Sequence, residues 1–114
     1  MAWNLDSDKP IFIQIVEKIE SDIVSGKYAP GDKLPAVREL AVEAAVNPNT
    51  MQKAFGELEN LGLVHTQRTS GRFVTEDRKL IDKTRKELAK KTAAEFLTRM
   101  EELGIDREEA IRLL

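Results

Sequence analysis

Two stretches of this sequence open on a proline and close on a glycine: residues 10–26, from Pro10 to Gly26, and residues 48–62, from Pro48 to Gly62. Proline suits the first helical turn, where its missing N–H has no intrahelical partner to lose, and glycine suits the left-handed residue just past a helix end. Inside the first stretch Ile11, Ile15, Ile19 and Ile23 recur every four residues, joined by Phe12 and Val16. That spacing lays one apolar stripe along one helix face. In the second, Met51, Ala54, Phe55, Leu58 and Leu61 form the equivalent stripe, and Thr50, Gln52, Lys53, Gly56 and Glu57 fall toward the other face. Asn47, directly before Pro48, is a helix N-cap by type and place.

Between these two helices lies a loop punctuated by Pro30-Gly31 and Pro35, then a short helix predicted over 36–44 with Val37, Leu40 and Ala41 inward. So short a turn before Asn47 makes the pair a helix-turn-helix. After Gly62 the period changes. Leu63-Val64-His65-Thr66 and Arg72-Phe73-Val74-Thr75 are strand-like, and Arg68-Thr69-Ser70-Gly71 is a turn between them, which together predict a β-hairpin. Three helices followed by a hairpin make a winged helix over residues 1–75, a mainly α, α+β domain.

Residues 76–114 read as a helical tail. A charged helix runs without a breaker to Gly104, with Leu80, Ile81, Leu88, Ala89, Phe96, Leu97, Met100 and Leu103 as its apolar residues. Asp106 with Glu109 then gives a capping pattern for a last helix over 107–114. Two helices alone cannot bury both stripes, so they pack on the winged helix or on a second copy. We favour the second copy, with Leu88, Phe96, Leu97, Met100, Leu103 and Ile111 at a dimer interface.

The chain has 114 residues, no cysteine and one histidine, His65. A disulfide framework, a thiolate metal site and a cysteine nucleophile are thereby excluded, the lone histidine argues against a histidine-based triad or metal site, and no phosphate-cradling glycine loop is present. Neither an enzyme nor a cofactor is expected. No apolar run reaches membrane-span length and no signal peptide precedes the first helix, so a cytoplasmic protein is expected. The formal charge of −2 argues against a nucleic-acid partner. That figure is an average. Residues 1–32 hold three Lys/Arg against six Asp/Glu, residues 33–74 hold five against four, and residues 75–114 hold ten against ten. Only the helix-turn-helix and hairpin region is net positive.

The residues now match a family. The strings Pro10-x-x-x-Gln14-Ile15, Ile19-x-x-x-Ile23-x-x-Gly26 and Pro30-Gly31-x-x-Leu34-Pro35-x-x-Arg38-x-Leu40-Ala41 resemble the N-terminal domain of GntR-type bacterial transcription regulators. So do Val46-Asn47-x-x-Thr50, Ala54-Phe55-x-x-Leu58-x-x-x-Gly62 and Gly71-x-Phe73-Val74. The short two-helix tail and the Val-Asn-Pro-Asn-Thr string look like the YtrA subfamily. That resemblance implies a homodimeric DNA-binding regulator, a repressor, in some members of a transporter operon. It leaves room for an effector, which no residue pattern here identifies. Residue by residue, it assigns Arg38 to the DNA contact near the start of the second helix. It assigns Asn47, Asn49 and Thr50 to the start of a recognition helix, and Gly71 with its neighbours to a wing in the minor groove. This chain departs from the family in having Ala36 where many members have a capping serine, Pro48 where many have arginine, and Gln52 where another basic residue is common. Its wing reads Ser70-Gly71-Arg72 where Gly-x-Gly is common.

Chemistry supports these assignments. Asn and Gln can pair bidentately with adenine and Thr can touch a thymine methyl or a phosphate, so Asn49, Thr50 and Gln52 make an adenine/thymine-leaning set. Arg38, Lys53, Arg68 and Arg72 supply positive charge for the backbone. So few cations per copy call for two half-sites, hence a two-fold dimer on a pseudo-palindromic operator. The competing reading is a winged helix that binds protein and not DNA.

Overall fold

A computed structural model describes residues 3–114. It contains α1 (Ile11–Val24), α2 (Val37–Ala44), α3 (Pro48–Asn60), β1 (Val64–Gln67), β2 (Gly71–Val74), α4 (Arg78–Glu102) and α5 (Arg107–Arg112). The order is that of a winged helix followed by two further helices. The chain forms two compact units, of which the second is Lys83–Leu114.

The first unit is built on the two proline-to-glycine stretches. Ile15, Ile19 and Ile23 of α1 and Met51, Phe55 and Leu58 of α3 are fully buried with Leu40 of α2, and α3 packs on both other helices. Each such side chain contributes roughly 1.5–3 kcal/mol by leaving water. Leu61 departs from the predicted stripe. It is the C-cap of α3 and 45% exposed, because the helix ends one residue earlier and the chain turns through Gly62. Val37 is half-buried, while Leu40 and Ala41 are buried as expected.

The hairpin pairs Val64 with Val74, His65 with Phe73, Thr66 with Arg72 and Gln67 with Gly71. Both strands lie one residue away from the predicted spans. The loop before α2 runs beside β2 as a third edge: the Leu34 amide donates to the Arg72 carbonyl at 2.8 Å and the Val74 amide to the Asp32 carbonyl at 2.9 Å. Val64 and Val74 close the core beneath it. His65 is an exposed strand residue stacked on Phe73, with ring centres 5.9 Å apart.

The N-terminal segment is tied down by Gln14, whose side chain accepts from the Asp6 amide at 2.7 Å and donates to the Asp6 carbonyl at 2.6 Å. Trp3 and Leu5 then pack against the core. Asp22, the buried carboxylate of α1, accepts from Lys18 at 3.0 Å, and its carbonyl takes the Tyr28 amide. Burial, with Asp22 and Glu43 nearby, raises the Tyr28 phenol above its ordinary 10.0.

Asp77, which the sequence reading passed over, starts α4 by accepting from the Leu80 amide at 3.1 Å. Leu80 and Ile81 pack against the first core. Beyond them α4 has no buried residue. Leu88, Phe96, Leu97 and Met100 are half-buried. Leu103 lies past the last helical residue and is 72% exposed, and Ile111 is 52% exposed. The stripe expected of this helix is therefore only partly covered in the single chain. Asp106 caps α5 through the Glu109 amide at 2.9 Å, as its spacing predicts.

Candidate nucleic-acid interface

The candidate reading helix, α3, begins in a defined way. The Asn47 Oδ1 accepts from the Asn49 amide at 2.7 Å, and Pro48 fills the first helical position. Asn47 is thus a cap whose side-chain oxygen is engaged within the protein. The buried stripe of Met51, Ala54, Phe55 and Leu58 sets the rotation of the helix and leaves Asn49, Gln52 and Lys53 exposed, with Thr50 half-buried. Amides, hydroxyls and a cation at the exposed start of a helix are the group types that reach base edges and phosphates.

The turn into α3 is tight. Ala45 takes φ 59, the left-handed conformation, and its amide and that of Val46 close back onto Val42 and Ala41. This bend sets α2 against α3. Arg38 is exposed in the first turn of α2. Ala36, at the N-cap, makes no side-chain cap bond, so its side chain satisfies none of the first amides of α2.

The wing carries Arg68 at its tip, exposed. Gly71 takes φ 109, which a side chain rarely adopts, and an added Cβ would stand 3.2 Å from the Lys33 Cε. Lys33, Pro35 and Ala36 line one open groove with Ser70 and Gly71. The start of α2 and the end of the wing therefore face the same space. Lys33 is a cation at this groove that the sequence reading did not select, because only the pairing of the loop with β2 brings it there.

Two more candidates, besides Asn47, have partners inside the protein. The Lys53 ammonium lies 4.0 Å from the centre of the Phe12 ring, a cation–π contact across α1 and α3. Arg72 is half-buried; its Nε donates to the Glu59 Oε1 at 3.2 Å, and its guanidinium carbon lies 5.4 Å from the Phe55 ring centre. Among the described residues no group of His, Asp and Glu side chains could hold a metal ion, and no helix is long and apolar enough to cross a membrane.

Comparison with known proteins agrees with this geometry. The family profile of bacterial regulatory proteins of the gntR family matches residues 13–74. YhcF of Bacillus subtilis, an uncharacterized HTH-type transcriptional regulator, is 41% identical over 111 residues, covering 97% of this chain and 92% of that protein. The HTH-type transcriptional repressor YtrA of the same organism is 44% identical over 73 residues, 64% of this chain and 56% of that protein. A solved GntR family transcriptional regulator from Listeria monocytogenes superposes with a TM-score of 0.86 at 42% identity, covering 96% of each chain. The DNA-binding domain of AraR, solved in complex with operator ORX1, gives a TM-score of 0.57 at 33% identity over 66% of this chain and 92% of that one. A winged helix with an exposed polar helix start, matched by the family profile over more than half its length, belongs to the gntR family of bacterial regulatory proteins: the chain is a DNA-binding transcriptional regulator, not an enzyme.

Proposed function

We propose that the chain is a cytoplasmic homodimeric repressor that reads a pseudo-palindromic operator. The winged helix of residues 1–75 does the reading and the tail of residues 76–114 joins two copies. The observation that carries this reading is the capped start of α3, where Asn49 and Gln52 stand exposed on the face opposite the buried stripe. In the major groove these amides select adenine, and Thr50 adds a phosphate or thymine-methyl contact. Arg38 and the uncapped amides of α2 hold one phosphate run, and Arg68 with the Gly71 turn holds the wing in the minor groove. Lys53, drawn toward Phe12, stands second in this set, Arg72 is engaged by Glu59, and Asn47 acts by holding the helix start.

The operator complex of AraR and the repressor YtrA support the operator and the sign of regulation. The uncovered Leu103 and Ile111, with Leu88, Phe96, Leu97 and Met100, support the dimer. A repressor of this kind blocks a promoter by occupying it. The YtrA resemblance points to a transporter operon as its target. Selection of duplexes from a random-sequence library tests the reading. The expected product is an adenine/thymine-rich inverted repeat with half-sites about one helical turn apart, or a multiple of it. Recovery of no enriched duplex overturns it.

A further inference from the structure

Glu59 on α3 holds both strands of the wing through one carboxylate oxygen. Its Oε1 accepts from the Thr66 hydroxyl at 2.6 Å and from the Arg72 Nε–H at 3.2 Å. Thr66 and Arg72 are direct partners across the hairpin, so their side chains leave the same face of it. That face begins with buried Val64 and Val74 and continues outward to this pair. Phe55, fully buried, sits one helical turn before Glu59 on α3, and the Arg72 guanidinium carbon lies 5.4 Å from its ring centre. α3 thus presents a ring and a carboxylate on one face, and a single guanidinium spans both. A guanidinium set over a ring with a directed Nε–H donor to a carboxylate is a task for arginine that lysine cannot repeat. The Arg72 and Glu59 side chains keep 24% and 36% of their exposure, so solvent and salt screen this pair less than a fully exposed one.

We propose that Arg72 is a positioning residue and not a DNA contact: with Glu59 and Thr66 it latches the wing to α3, fixing the distance from the helix start to the wing tip. The proposal rests on α3 being the helix that reads DNA. A latched wing offers Arg68 to the duplex without having to be ordered on binding, which raises affinity by removing that entropic cost.

The two roles of Arg72 give results of opposite sign. Full-length Arg72→Ala, Arg72→Lys, Glu59→Ala and the Arg72→Ala/Glu59→Ala pair are compared on a duplex selected by the wild-type protein from a random-sequence library. The latch predicts that each single change weakens binding about fivefold or more, and that the pair is no weaker than the worse single. Arg72→Ala leaves the salt dependence unchanged. A phosphate contact predicts instead that Arg72→Lys binds nearly as well as wild type, and that Glu59→Ala, by releasing the arginine, binds more tightly. It also predicts that Arg72→Ala lowers the salt slope by about 0.9. Any of these three overturns the latch. Amide hydrogen exchange on the free proteins decides the same point without DNA. Arg72→Lys, Glu59→Ala and the charge-preserving Thr66→Val are expected to speed exchange over residues 64–74 and leave α1 unchanged; unaltered wing exchange overturns the proposal. If the wild-type protein selects no duplex, the DNA reading of α3 fails, and the exchange result still judges the latch.

Discussion

Arg38 stands exposed in the first turn of α2, beside amides that no side chain caps. A cation there gains from a phosphate and loses little when the phosphate is absent. Arg38→Ala is therefore expected to weaken binding to a selected operator by about tenfold and to reduce the salt slope by about 1. Unchanged affinity in a filter-binding titration would remove Arg38 from the interface. Tyr28 carries a second residue-scale consequence. Its phenol is raised by burial and by Asp22 and Glu43, so the folded state holds its proton above pH 10.0, where the unfolded chain has begun to lose it. The stability linked to that proton is complete below the unfolded value and disappears as pH rises through the folded one. Tyr28→Phe should flatten the alkaline loss of stability seen in urea midpoints, and an equal loss in both proteins would refute the linkage. At this scale the sequence was uneven as a guide. Asn47 could be assigned as a cap because caps are local. The pairing of Arg72 with Glu59 could not, because the two are thirteen residues apart and meet only after the hairpin folds.

At the scale of elements, proline and glycine marked both long core helices to within a few residues, since those residues act on the backbone directly. The strands were placed one residue out. The loop before α2 also pairs with β2, a tertiary fact that no strand pattern carries. The start of α4 was missed for a smaller reason: Asp77 is a good cap among several acidic residues, and nothing nearby singled it out. The turn between α2 and α3 supplies a test at this scale. Ala45 there is the non-glycine residue at positive φ among those described. Ala45→Gly relieves a Cβ penalty of about 1–2 kcal/mol and adds back about 0.5–1 kcal/mol of chain entropy. A net gain of up to about 1.5 kcal/mol in urea unfolding is expected, with operator binding retained. A loss of stability would show that the turn is not strained by its alanine.

For the whole molecule the question is what covers the tail. Past Ile81, no residue of α4 is fully buried in a single chain, and Leu103, Ile111, Leu113 and Leu114 are more than half exposed. Apolar groups so arranged need a partner surface, and a second copy also supplies the second half-site that so few cations demand. A chain ended after Asp82 keeps Leu80 and Ile81 on the first core. It should stay folded, sediment as a monomer and lose at least about tenfold in operator affinity. A truncated chain that still sediments as a dimer would take the tail out of its proposed role. The apolar residues of the tail were legible from the sequence, but the absence of a continuous covered stripe was not, because a stripe is defined only by what lies against it.

One consequence concerns how such a molecule can be watched. Trp3 is the single tryptophan of the chain, and it lines a groove with Val46, Asn47 and Thr50, where α3 begins. Indole emission responds to the polarity and charge of its surroundings, so on the proposed reading of α3 a phosphate backbone arriving at its start would change it. The chain then carries an intrinsic fluorescent reporter at its proposed reading end, and titrations can be followed without a dye or a tag.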